Sequence, residues 1–87
     1  DMKEMELLVS PNPAKDILQV QTGSTVAGEA ALVISDAAGR QLYQRNIVLQ
    51  QGTNSIPVNI SMLAKGNYFV RIIAGTESYT KQFVKIE

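Results

Sequence analysis

Apolar residues along this chain recur mostly at every second position or in short β-branched runs, and clusters of Gly, Pro, Asn and Asp interrupt them at intervals of roughly 10–12 residues. A period of two belongs to strands, and turns at that spacing belong to an antiparallel sandwich. Met5 to Val9 reads as a first short strand, ended by Ser10-Pro11-Asn12-Pro13, where two prolines remove backbone donors and impose extended or turn geometry. Ile17 to Thr22 follows with Leu18 and Val20 on one face, and the loop Gly23 to Gly28 closes it. Ala30 to Ser35 is too apolar for simple alternation, as a central strand covered on both faces would be. It runs into Asp36-Ala37-Ala38-Gly39, a tight hairpin turn: Asp36 can accept from N–H groups two or three residues on, and Gly39 can take a positive φ.

Gln41 to Leu49 returns as a long strand whose apolar residues Leu42, Tyr43, Ile47 and Leu49 fall on both parities, which predicts a bulge or bend near Arg45-Asn46. After Gln51-Gly52, Asn54 to Ile60 alternates cleanly with Ile56, Val58 and Ile60 on one face, and Pro57 on the other parity points to a peripheral edge strand or a bulge. Ser61 to Gly66 is too short for an ordinary helix and predicts one loose helical turn that plugs Leu63 into the end of the sandwich. Asn67 to Ala74 and Ser78 to Ile86, joined by Gly75-Thr76, form a hairpin. In its second strand Tyr79, Lys81, Phe83, Lys85 and Glu87 share one face, opposite Thr80, Gln82, Val84 and Ile86, and neither face is wholly apolar. The whole pattern predicts an all-β, Ig-like antiparallel β-sandwich of about seven strands.

Composition narrows what such a sandwich can do. Eighty-seven residues with 45% hydrophobic content allow one core, since two would each fall near the ~40 residues that need staples. The absence of cysteine and histidine removes disulfides, thiolate metal sites, the commonest general base and the commonest metal ligand. Six serines and eight acids assemble no triad-like spacing, so no catalytic residue is expected. Asp16 and Asp36 lack the alternating oxygen ligands of a calcium loop, and Gly39, Gly52, Gly66 and Gly75 stand at strand boundaries rather than in phosphate-binding loops. No cofactor or metal is expected. Asn59-Ile60-Ser61 fits a glycosylation sequon, a pattern that recurs by chance.

With a net charge of zero and five aromatic residues, the chain is not expected to bind nucleic acid, and no apolar run is long enough to cross a bilayer. Charge is uneven nonetheless. Residues 1–43 hold three Lys/Arg against six Asp/Glu, and residues 44–87 hold five against two, which fits solvated strand faces or a shallow patch for an anionic partner. Asp1 in place of an initiator Met suggests a piece of a longer chain.

The order of signals carries more than any one of them: Pro11-Asn12-Pro13, Leu18-x-Val20, Ile34-x-Asp36-x-x-Gly39-Arg40, Leu63-x-x-Gly66-x-Tyr68 and the basic-apolar Lys81-Gln82-Phe83-Val84-Lys85. Across nearly the whole chain this resembles the C-terminal sorting domain of the type IX (Por) secretion system of Bacteroidetes. The resemblance implies residues 1–10 as a linker remnant with the first strand and residues 11–87 as the sorting domain. It also implies a preceding cargo domain, recognition by the type IX translocon, cleavage by a sortase-like peptidase near or before Asp1 to Leu8, and cargo anchored to the cell surface or released. Carried over by position, Pro11, Asn12, Pro13, Asp36, Gly39, Arg40, Gly66 and Tyr68 match family motifs and read mainly as fold-defining. The recognition signal is expected in the final strand, Lys81, Gln82, Phe83, Val84, Lys85, Ile86 and Glu87, with Lys81 and Lys85 exposed. A terminal strand also offers an edge for β-augmentation, a domain-swapped dimer or an edge-strand homodimer. The competing expectation is a non-catalytic adhesion or carbohydrate-binding sandwich, against which stand the absence of Trp and the position of Tyr43, Tyr68 and Tyr79 within strands.

Overall fold

Alternation in the sequence becomes alternation in space along seven strands: β1 (Leu7–Ser10), β2 (Ile17–Ser24), β3 (Gly28–Asp36), β4 (Gln41–Leu49), β5 (Gly52–Asn59), β6 (Gly66–Ala74) and β7 (Glu77–Lys85). The computed structural model describes residues 7–24 and 27–87, and among these there is no helix. Two antiparallel sheets form, one of three strands in the order β1-β2-β5 and one of four in the order β4-β3-β6-β7. Their inner faces meet in one core. Leu18 and Val20 of β2, Val58 of β5, Leu32 of β3, Val70 and Ile72 of β6 and Phe83 of β7 are almost fully removed from water. Each such side chain contributes about 1.5–3 kcal/mol by burial, which is what holds two otherwise independent sheets face to face.

The arrangement is Ig-like in a specific detail. Tyr68, near the start of β6, donates its hydroxyl to the carbonyl of Ala64 at 2.6 Å, tying the strand to the corner that precedes it. Its ring stacks on that of Phe83, opposite it in register on β7, with centroids 5.7 Å apart. With no disulfide between the sheets, this aromatic pair and its aliphatic neighbours provide the central packing.

Several local expectations change once the strands are paired. The first strand is observed over Leu7–Ser10, while Met5 and Glu6, expected to begin it, lie outside the described residues. The loop expected over 23–28 is shorter: Gly23 and Ser24 extend β2 and Gly28 opens β3, with Thr25 and Val26 outside the described residues. β3 is central, hydrogen-bonded to β4 and β6, but only its inner face is covered by the other sheet. Val33, on the outer face, is buried because Gln44 and Arg71 flank it in register and long side chains shield apolar surface with their stems.

The irregularity expected near Arg45-Asn46 falls at Leu42 instead. Ile34 pairs with Tyr43 and Ser35 with Gln41, so Leu42 is the extra residue, left 43% exposed while Ile47 and Leu49 turn inward. Ser61 to Gly66 contains a hydrogen-bonded turn, from Leu63 N–H to Ile60 C=O at 3.0 Å, where a loose helical turn was expected; Leu63 does pack on the core. Asn59 shapes that turn, accepting from the Ser61 N–H at 2.9 Å and hydroxyl at 2.7 Å. β5 lies at a sheet edge with Pro57 exposed, as its proline requires.

Candidate functional site

β7 is the edge strand of the four-stranded sheet, and its two faces have different fates. Phe83 and Lys85 point into the molecule with Tyr79 half-buried beside them, whereas Thr80 and Gln82 face solvent. Lys81 shares the inward parity yet is exposed. An inward-pointing lysine on an edge strand is a known guard against indiscriminate strand pairing, because a flat apolar approach would strip its ammonium of water.

Lys85 departs from expectation. It is 2% exposed, with its stem in the core and its ammonium donating to the main-chain oxygens of Ile86 at 3.3 Å and Glu87 at 3.0 Å. Position in a strand did not reveal this, because the lysine sits where β7 is overlaid by another part of the chain. That part is the Pro11-Asn12-Pro13 segment. Asn12 accepts the Val84 N–H on its Oδ1 at 3.0 Å, Ala14 N–H donates to Val84 C=O at 2.7 Å, and Ile86 N–H donates to Ala14 C=O at 2.8 Å. Ala14 thereby runs parallel to Lys85, fully buried, and Lys15 pairs with Glu87 at 3.3 Å on the surface. Both X-Pro bonds of the segment, Ser10-Pro11 and Asn12-Pro13, are cis. The motif is therefore a strap across the outer edge of β7 over Val84–Ile86.

The second motif is a self-contained turn. The Asp36 carboxylate accepts from the N–H of Ala38 at 3.0 Å and of Arg40 at 2.8 Å, two and four residues on, and pairs with the Arg40 guanidinium at 3.0 Å. Gly39 takes φ 89° within it, a conformation that costs other residues about 1 kcal/mol or more. The Arg40 N–H above all, then the Arg40 guanidinium and the Ala38 N–H, holds the Asp36 carboxyl below its ordinary range against the opposing effect of partial burial. Gly66, at φ 154°, begins β6 opposite Lys85 and beside the Tyr68 ring. The family positions thus divide into a strap, a turn and a corner. The strap lies along Val84–Ile86 at the end of β7, and Gly66 and Tyr68 face Lys85 and Phe83 of the same strand in register.

Two shallow depressions mark the outer surface. One of about 270 Å³ lies on the four-stranded sheet among Ser35, Asp36, Phe69, Arg71 and Thr80, and one of about 220 Å³ lies among Leu8, Gln21, Thr22 and Thr53. Neither combines a nucleophile with a free base, since the one acid involved, Asp36, is committed to its own turn. Among the described residues no three potential ligands cluster as a metal site. Sequence reasoning missed two residues that organise the surface. Asn54 ties the 50–54 turn by accepting from Gln50 N–H at 2.8 Å and donating to Gln50 C=O at 2.9 Å, and Ala14 carries the strap. Asn54 had a legible signal, an Asn two residues past a turn glycine; Ala14 had none.

A family model for the secretion system C-terminal sorting domain matches residues 8–87, from within β1 to beyond β7. No curated protein matches the chain. The match takes in every strand, the strap, the Asp36 turn and the tyrosine corner, and on it the chain belongs to the family of type IX secretion C-terminal sorting domains, signals that direct secreted proteins for export.

Proposed function

We propose that this domain is the address of a cargo preceding it in the same polypeptide, read by the type IX translocon during transit from the periplasm across the outer membrane. A sortase-like peptidase then cuts ahead of the sandwich, with residues 1–10 as linker remnant and first strand and residues 11–87 as the sorting domain. The cargo is left joined to the cell surface or released. The observation that supports this reading is the family match over nearly the whole chain. Within the expected signal, Phe83 and Lys85 serve the fold, so what a receptor can grip is Lys81, Gln82, Ile86 and Glu87, all exposed. An adhesive or sugar-binding role finds little support in the surface, because Tyr68 is buried, Tyr43 and Tyr79 are half-buried against the core, and Phe69, itself half-buried, is a single ring beside one shallow depression rather than a platform.

A reporter fused ahead of the chain tests the reading. It is expected outside the cell only in a host carrying type IX machinery, and equal export without that machinery would refute it. Deleting residues 81–87 is a blunt test, because losing Phe83 alone costs about 3–5 kcal/mol and unfolds a small domain. The combined variant Lys81→Ala, Gln82→Ala, Glu87→Ala leaves the core intact. It is expected to keep its thermal unfolding midpoint within a few degrees and to lose export; full export would move the signal elsewhere on the domain.

A further inference from the structure

We infer that the part of the β7 edge whose outward main-chain groups no described residue pairs, those of Ser78, Thr80 and Gln82, is a docking strand for an extended, acidic segment of a partner protein. The inference deepens the reading of β7 as the recognised element and rests on it. The described strands have four sheet edges, and three are blunted: β1 is described over only four residues, β5 carries Pro57, and β4 is bulged at Leu42. The strap covers the fourth, but only at Val84–Ile86.

Val84 turns its N–H and C=O toward the strap, so the alternation of an antiparallel strand turns those of Gln82, Thr80 and Ser78 toward the same side. Beyond the strap, no pairing on that side occurs among the described residues. Those residues offer a short row of three donors and three acceptors. An added segment would lie end to end with the strap, as one more strand of the sheet.

Charge selects the occupant. Lys81 stands on the inner face of this edge, and Arg71, in register with Thr80, stands one strand further in on the outer face. Neither forms an ion pair among the described residues. The depression beside Thr80, walled by Phe69, Arg71 and Ser35, gives the outward side chains of an added strand somewhere to lie. A segment with adjacent carboxylates would present one to each face and satisfy both cations, whereas a basic or wholly apolar segment would strand Lys81 against like charge or out of water.

The test is an NMR titration of the 87-residue chain with the end-blocked heptapeptide Thr-Val-Thr-Glu-Glu-Val-Thr and its Lys-Lys counterpart. The acidic peptide is expected to shift the Thr80 and Gln82 amides and slow their hydrogen exchange, and the basic one to bind at least about tenfold more weakly. Lys81→Glu is expected to weaken the acidic peptide by about tenfold, and Thr80→Pro, which removes an edge-facing donor, to abolish binding in a domain whose spectrum remains folded. Equal binding of both peptides, shifts confined to another surface, or no saturation would overturn the proposal. So would concentration-dependent self-association that protects the same amides, which would assign the edge to a second copy. Peptide binding reports on the edge alone and reporter export on the signal, so failure of one is distinguishable from failure of the other.

Discussion

Asp36 and Thr22 show how much one side chain decides when its partners are counted. Asp36 draws the hairpin closed through two backbone N–H groups and Arg40, and its carboxyl is held below the ordinary range chiefly by the Arg40 N–H. A group with a depressed native pKa contributes stability above its unfolded pKa, and that contribution disappears as the pH falls through the native value. Resistance of the native domain to urea is therefore expected to weaken below about pH 4, and Asp36→Asn to flatten that part of the profile while lowering stability at neutral pH. An unchanged acid limb would show that the charge is idle. Thr22 faces the opposite situation: it is 2% exposed, inward on β2, and its hydroxyl finds no partner among the described residues. An unmatched buried hydroxyl costs about 1–3 kcal/mol, so the isosteric Thr22→Val is expected to stabilise the domain by about 1 kcal/mol in denaturant titrations; a loss would indicate a partner for the hydroxyl.

Among the elements, the strap and β7 behave as one unit although Asn12 and Val84 lie 72 positions apart in sequence. The Asn12 side chain replaces a strand neighbour by accepting from Val84, and Ala14 completes the pairing with its own N–H and C=O. Asn12→Ala leaves the Val84 N–H without its acceptor, with an expected loss of about 1 kcal/mol and faster hydrogen exchange at Val84 and Ile86 than at Thr80-flanking Tyr79 or Phe83. Uniformly faster exchange would mean that the strap supports the whole sandwich rather than the strand end. Strand identity was readable from alternation for β2, β5 and β6, since each has a clean inward set. The placement of the bulge was not. Leu42 and Tyr43 are adjacent apolar residues, and only the pairing with Ile34 and Ser35 decides which of them turns inward.

At the scale of the molecule, the partition of seven strands into three and four leaves β7 and β1 on one flank and β4 and β5 on the other. Arg45 reaches from β4 to the Pro57 carbonyl at 3.3 Å, so a side chain bridges the sheets on the second flank, while among the described residues main-chain bonds from the strap close the first at Val84–Ile86. That asymmetry leaves Ser78 to Gln82 as the accessible edge. The sequence by itself determined most of the strands and turns, the family and the lack of cysteine and histidine, because these depend on period, turn chemistry and residue type, all local quantities. Only the tertiary structure decided that Lys85 is buried, that Asn12 and Ala14 clasp the end of β7, and that Lys81 stays exposed on the parity that Phe83 and Lys85 bury. Burial and edge exposure are relations between strands far apart in the chain, and alternation within one strand says which side chains share a face without saying what covers it.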